Sequence, residues 1–298
     1  MNPASLRQII LEKIPEGSVI PRHTDKEHLY EIVPSGGKIY KSVTTRLQVV
    51  KDESLVNYKM NRALDYIFAN YKNITDENIM EHLDIASKQS GIILEDAGDI
   101  GTAIHSYREA YFDAWIKDWK RPPSALDFIP DYQVDIRATS GMRGLEKFIN
   151  KEDYIPLVCE LRVWDDEFQV AGTLDDVGLL RKTMRPGKPD CLHEVIADHK
   201  FVHRCLHCDL KYKYELVLVD LKTSNQFKDH YFFQVALYYM MFCRLTGLRP
   251  KRCFILKVSK DDGNYKIEEL YQIGKLVRYA KSMLRTNDGL DFIKSVRK

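Results

Sequence analysis

The sequence predicts an α/β protein: a central mixed β-sheet flanked by helices over residues 98–298, preceded by an N-terminal helical extension over residues 1–97. Three observations carry this. Short apolar or alternating stretches at 155–161, 168–180, 215–222, 252–259 and 265–270, bounded by polar turns, read as strands. Apolar residues recur at helical spacing over 53–72, 76–96 and 101–120. Beyond residue 98 strands and helices follow one another along the chain, as layered α/β folds require.

Taken in order, residues 1–37 hold Pro15, Pro21, Pro34 and Gly36-Gly37, and predict one short helix near 5–13 followed by loops. Ser42 or Thr44 offers a side-chain oxygen to cap a helix that breaks near 51–53. The stripes Leu55, Tyr58, Leu64, Ile67, Phe68 and Ile79, Leu83, Ala86, Ile92 predict two platform helices. A third helix starts at Gly101-Thr102 and stops before Pro122-Pro123. Residues 124–153 read as loop and a short helix around 142–150. The polar turn Trp164-Asp165-Asp166-Glu167 joins the next two strands as a hairpin. The strand at 215–222 ends in Asp220-Leu221-Lys222-Thr223; a polar loop leads into a helix that Gly247-Leu248-Arg249-Pro250 terminates. Two more strands and a closing helix over 273–285 complete the core.

Composition bounds the function. A 44% hydrophobic and 30% charged chain of 298 residues has the apolar material for a real core. No apolar run approaches the ~20 residues that span a bilayer, so no membrane partner is expected. Six cysteines without a secretory pattern predict a reducing, cytoplasmic compartment. A net charge of +2 neither argues for nor excludes a nucleic-acid partner, since a local basic groove is compatible with it. There is no internal repeat and no glycine-rich phosphate loop of the G-x-x-x-x-G-K-[ST] kind.

The chemistry-bearing residues are scattered. Period-two geometry puts Asp220 and Lys222 on one strand face, with Leu221 on the other. A carboxylate and an ammonium on a hydrophobic strand are costly unless paired or bound to something. Gln234 and Tyr238, four apart, share a helix face. His105 and Glu109 are also four apart, a spacing that can grip a cation or form a hydrogen-bonded core pair. Asp175 and Asp176 alternate across a strand, and spacing alone does not say which points inward. Between 185 and 213 lies a Cys/His-rich insertion in which Cys205-Leu206-His207-Cys208 has the C-x-x-C spacing of a zinc knuckle. Cys191 and His193 are candidates to complete a structural zinc site, with His199, His203 and His207 as competitors. Lys200, Arg204, Lys211 and Lys213, interleaved with Phe201, Tyr212 and Tyr214, form a basic stripe suited to DNA or to a solvated hairpin.

Together these stretches resemble the PD-(D/E)xK nuclease superfamily, in its RecB-like branch of phage-type and mitochondrial genome-maintenance-type exonucleases. Gly101 and His105 match that branch's G-x-x-x-H, and Gly172 with Asp175 match its G-x-x-D. Asp220-x-Lys222-Thr223 matches D-x-K-T, and Gln234 with Tyr238 match Q-x-x-x-Y. Ser42-Val43-Thr44-Thr45 looks like the segment that precedes the nuclease core. The resemblance implies a restriction-endonuclease-like core and a metal-dependent DNA exonuclease of recombination, repair or replication. It also implies a bacterial or phage-infected cell as the setting. A catalytically silent nucleic-acid-binding module and a restriction-type endonuclease are the alternatives on the same core. The implied metal ligands, for Mg²⁺ or Mn²⁺, are His105, Asp175, Asp220 and the Leu221 carbonyl. Asp175, Asp220, Lys222, Gln234 and Tyr238 are the implied catalytic set, and Glu160 and Glu109 are supporting candidates. The implied partners are DNA and a single-strand-annealing or other recombination protein.

Overall fold

A computed structural model of the chain describes residues 2–24, 27–47, 53–130, 135–185, 195–198, 202–205, 211–224 and 227–296. Asn2 accepts the Ser5 amide and so caps helix α1, Pro3–Lys13. Strands β1 (Val19–Pro21), β2 (Leu29–Ile32) and β3 (Lys38–Ser42) follow, and Ser42 caps the single-turn helix α2, Val43–Arg46. Helices α3 (Glu53–Asn70) and α4 (Ile79–Asp118) form a hairpin. Helix α5 (Ile136–Glu152) begins at an Asp135 cap. Strands β4 (Tyr154–Asp165), β5 (Val170–Arg185), β6 (Val195–Asp198), β7 (Val202–Cys205) and β8 (Lys211–Lys222) come next. Helix α6 (Asp229–Thr246), strands β9 (Arg252–Val258) and β10 (Tyr265–Glu269), and helix α7 (Ile273–Val296) close the chain.

Among the described residues the strands form a single mixed sheet. β5 is antiparallel to β4 on one edge. Its other edge changes partner: β3 runs parallel to it at Val170 and Ala171, and β8 runs antiparallel from Asp176 onward. Between those points, at 172–175, neither β3 nor β8 is in register with it. β9 lies parallel to β8, and β10 antiparallel to β9. Helices cover both faces. Leu218 belongs to the core under α1, α6 and α7, with Ile10, Leu237, Met241 and Leu284. Its strand neighbours Val217 and Val219 belong to the core under α4 and α5, with Ile104, Phe112 and Phe148. This is the period-two alternation of a strand buried on both sides.

The helices-around-a-mixed-sheet architecture is therefore as the sequence predicts. The N-terminal part differs. Where loops are predicted, β1 and β2 pair, and β3, in the stretch just before the predicted helix, pairs with β2 and joins them to the main sheet. The extension is thus not purely helical. The helix expected from Ser42 is one turn long within the described residues. The expected boundary at 97/98 falls inside α4, because the helices read at 76–96 and from 101 are one 40-residue helix. α7 runs past the expected end at 285.

Candidate metal centre

His105 is set on α4 by the stripe that buries Ile104, Tyr107, Arg108, Tyr111 and Phe112. Its helix can approach the end of β8 because residue 101 is glycine: a Cβ there would lie 2.9 Å from Thr223 Oγ1. Asp175 lies on β5 at the partner change, and Glu160 projects from the adjoining edge strand β4. His105 Nδ1 is 3.6 Å from Asp175 Oδ1 and 3.9 Å from Glu160 Oε1. These three side chains offer ligand atoms all within 4.8 Å of one another.

The rest of the group surrounds this trio. Asp175 Oδ2 accepts the Leu221 amide at 2.6 Å, tying β5 to the end of β8 and placing the Leu221 peptide beside the carboxylate. Lys222 Nζ is 2.6 Å from Asp220 Oδ2 and lies 5.1 Å from the Tyr231 ring centroid. Gln234 donates to Tyr238 Oη at 3.1 Å. The Tyr238 ring presses on Gly172, where a Cβ would come within 2.8 Å of it, so the glycine of the G-x-x-D stretch makes room for the tyrosine of α6. A cleft of about 360 Å³ opens over the group, lined by Gly101, Thr102, His105, Leu221, Lys222, Thr223, Ser224 and Tyr231 among others.

Beneath the trio lies Arg108, fully buried. It donates to Glu160 Oε1 through Nη2 and to Asp176 Oδ2 at 3.2 Å through Nη1, which is also 4.0 Å from Asp175 Oδ1. Glu160 reaches it from a left-handed backbone (φ 49°) in mid-strand, a conformation costing about 1–2 kcal/mol in a non-glycine residue.

Charge is balanced by these contacts. Burial alone would raise Asp175, but His105, Lys222, Arg108 and the Leu221 amide outweigh it and hold the carboxyl below its ordinary range. Burial pushes Asp220 up to about 6 despite Lys222. Burial likewise pushes Asp176 up to about 8 against the pull of Arg108. For Lys222, burial opposes the charge, yet Asp220 and Asp175 prevail and raise it above the ordinary lysine value. Lys222 is therefore an ammonium at neutral pH.

A divalent cation fits this donor set. Hard oxygen donors with one imidazole suit Mg²⁺ or Mn²⁺. Asp220 is 1% exposed; Lys222 engages its Oδ2, while Oδ1 has no hydrogen-bond partner among the described residues.

Of the expected residues, His105, Asp175, Asp220, Leu221 and Lys222 converge here. Glu160, expected only in support, stands in the compact trio. Glu109 does not join it: the i, i+4 spacing on the helix is overridden by β4, which brings Glu160 opposite Asp175. Gln234 and Tyr238 pair with each other and brace α6 against β5. Arg108 and Tyr231 carry no motif in the sequence. Arg108 shares its helix with His105 three residues earlier, a weak signal; nothing in the local sequence marks Tyr231. Cys191, His193, Cys208 and Lys200 lie outside the described residues. Cys205, Arg204 and Lys211 are placed only by strand pairing, with Arg204 opposite Lys211. Lys213 Nζ is 3.4 Å from Glu215 Oε1.

No family model matches the chain, and no curated protein is significantly similar to it. A solved structure described as a crystal structure of SSO0001 aligns over 62% of this chain and 74% of that one, at 11% identity and a TM-score of 0.23, too low to carry an argument. No helix among the described residues is long and apolar enough to cross a membrane.

Proposed function

We propose that this chain is a metal-dependent DNA exonuclease of the PD-(D/E)xK type, with a restriction-endonuclease-like core of the RecB-like branch, serving recombination, repair or replication. One observation carries the reading. His105, Asp175, Asp220 and Lys222, drawn from α4, β5 and β8, form one group in which His105 and Lys222 line the cleft and Asp175 and Asp220 are buried beside them. Phosphodiester hydrolysis drives an anionic nucleophile at an anionic centre. A bound Mg²⁺ or Mn²⁺ would supply charge neutralisation and a lowered pKa for a coordinated water.

The chain's own residues do the rest. His105, Asp175, Asp220 and the Leu221 carbonyl would hold the cation, and the Leu221 amide keeps Asp175 oriented. Lys222, protonated, orients water through its N–H donors and stabilises charge developing on phosphate oxygens. Its raised pKa favours that role over proton abstraction. Tyr231, against Lys222 and lining the cleft, presents a ring on which a base can stack. Gln234 and Tyr238 act indirectly, by fixing Gly172 and the β5 segment that carries Asp175.

The test is cleavage of end-labelled linear DNA and closed circular DNA with Mg²⁺, with Mn²⁺ or with EDTA. Metal-dependent loss of the linear substrate alone is expected. Nicking of closed circles would replace the reading with an endonuclease; metal-independent binding with no cleavage would replace it with a binding module. Lys222→Ala should cut the rate at least ~100-fold with the fold retained. Full activity in that variant would refute the assignment.

A further inference from the structure

We infer that Glu160 is a direct side-chain ligand of the cation, beside His105 and Asp175, and that buried Arg108 is the positioning residue that holds it there. The inference deepens the reading above and rests on its premise that this group binds a divalent metal.

Geometry supports ligation. Two donors each ~2.1 Å from one ion are roughly 3.0 Å apart when adjacent and 4.2 Å when opposite. The His105–Asp175 and His105–Glu160 separations of 3.6 and 3.9 Å fall inside that range before any ion draws them in. Asp220 does not belong to this compact trio and is engaged by Lys222. Glu160 is still partly exposed, at 28%, so its carboxylate is not consumed by burial. A carboxylate offers about four lone-pair directions, so a guanidinium on one leaves others open.

Arg108 has few rivals for the positioning role. Its guanidinium spans Glu160 on β4 and Asp176 on β5 with separate nitrogens. It thereby compensates the repulsion among Glu160, Asp175 and Asp176 and fixes the strand-to-strand spacing of the ligands. The left-handed backbone at Glu160 has a purpose on this view: it aims the carboxylate at the Arg108–His105 corner. A lysine would keep the positive charge but cannot bridge two carboxylates with a planar fork.

The experiment is Mn²⁺ titration of the full chain, followed by loss of the free-ion paramagnetic resonance signal and by the metal-induced rise in Tm. No cleavage is measured. Glu160→Gln should bind Mn²⁺ at least ~10-fold more weakly than the parent. Arg108→Lys should weaken it similarly while remaining folded by circular dichroism. The double variant should lose clearly less than the sum of the two single losses, because Arg108 acts largely through Glu160. A merely structural arginine would instead give additive losses, and that result would overturn the positioning role. Parent-like affinity in Glu160→Gln would overturn ligation. Should Arg108→Lys fail to fold, Arg108→Gln replaces it in the same cycle with the same criteria. If the parent itself takes up no Mn²⁺, the underlying reading of a cation centre fails, an outcome distinct from a parent that binds and a Glu160→Gln variant that binds equally.

Discussion

Asp220 shows how a single residue can couple the site to pH. Its carboxyl stands at about 6 because burial outweighs the pull of Lys222. A cation must displace the proton, so Mn²⁺ affinity should be nearly flat above pH 7 and fall up to tenfold per unit below about 6. Calorimetric titration at pH 7.5, 6.5 and 5.5 checks this, and Asp220→Asn should flatten the part of the slope due to this group. Equal affinity at 7.5 and 5.5 would contradict it. The metal-free protein runs the other way. A carboxyl raised from 3.8 to about 6 contributes stability that is fully present below pH 3.8 and lost as pH rises through about 6. Gly172 offers a steric test. Gly172→Ala places a methyl 2.8 Å from the Tyr238 ring, and Val43 is also near, so the strand must shift. A loss of roughly 1–3 kcal/mol in urea unfolding is expected; Tyr238→Leu in the same background should recover part of it. At this scale the family resemblance picks out His105, Asp175, Asp220 and Lys222, which lie close together in the structure, whereas spacing alone leaves Asp175 and Asp176 undecided. The sequence is silent on Arg108, because an arginine within a helix is ordinarily a surface residue and only the fold makes this one buried.

Among elements, the long strands were legible and the short ones were not. The apolar middles of β4, β5, β8 and β9 show in the sequence, but their ends do not: β4 runs on through Trp164 and Asp165, where a turn is expected, β5 runs on to Arg185 and β8 begins at Lys211. β1–β3 are three to five residues each, separated by prolines and glycines that read as loop, and the parallel pairing that holds β3 is with β5, over a hundred residues away. No local pattern reports such a partner. α4 reads as two helices for a related reason: Gly101-Thr102 resembles a helix start, yet Gly101 serves the approach of Thr223 in mid-helix. Caps, by contrast, are local chemistry. Asp135 accepts the Arg137 amide at 2.7 Å at the start of α5, and Arg137 also bridges to Asp96 on α4. Asp135→Ala should cost about 1 kcal/mol in urea unfolding at pH 7. Hydrogen bonding to Arg137 holds the Asp135 carboxyl below its ordinary value. Its contribution is therefore present above the unfolded value of 3.8 and is lost as pH falls through the lower, folded one. The difference between parent and variant should vanish in strong acid, and a difference that persisted there would show that the cap acts through something other than its charge.

At the scale of the whole molecule, the question is whether residues 98–298 could stand alone, as the predicted division into extension and core suggests. The packing argues that they cannot. Leu6, Ile10, Ile14, Val19, Tyr30, Ile32, Tyr40, Val43 and Leu47 all belong to the core cluster that also holds Val170, Leu174, Leu237 and Tyr238. Removing them would expose the facing apolar side chains of that cluster to water. Removing them also strips β3 from β5 at Val170 and Ala171, just before the segment that carries Asp175, and cuts α4 seven residues before His105. A chain of residues 98–298 should therefore be insoluble or should melt without a cooperative transition, and should show no metal-induced rise in Tm. The full chain should unfold in one step, with α1 and the sheet losing structure together. The decisive measurement is calorimetry of the purified 98–298 chain beside the full one. A sharp transition in the shorter chain, with native near-ultraviolet dichroism, would mean that the first three strands decorate an independent core. The site's ligands would then owe their placement to β4, β5, β8 and the remaining half of α4 alone.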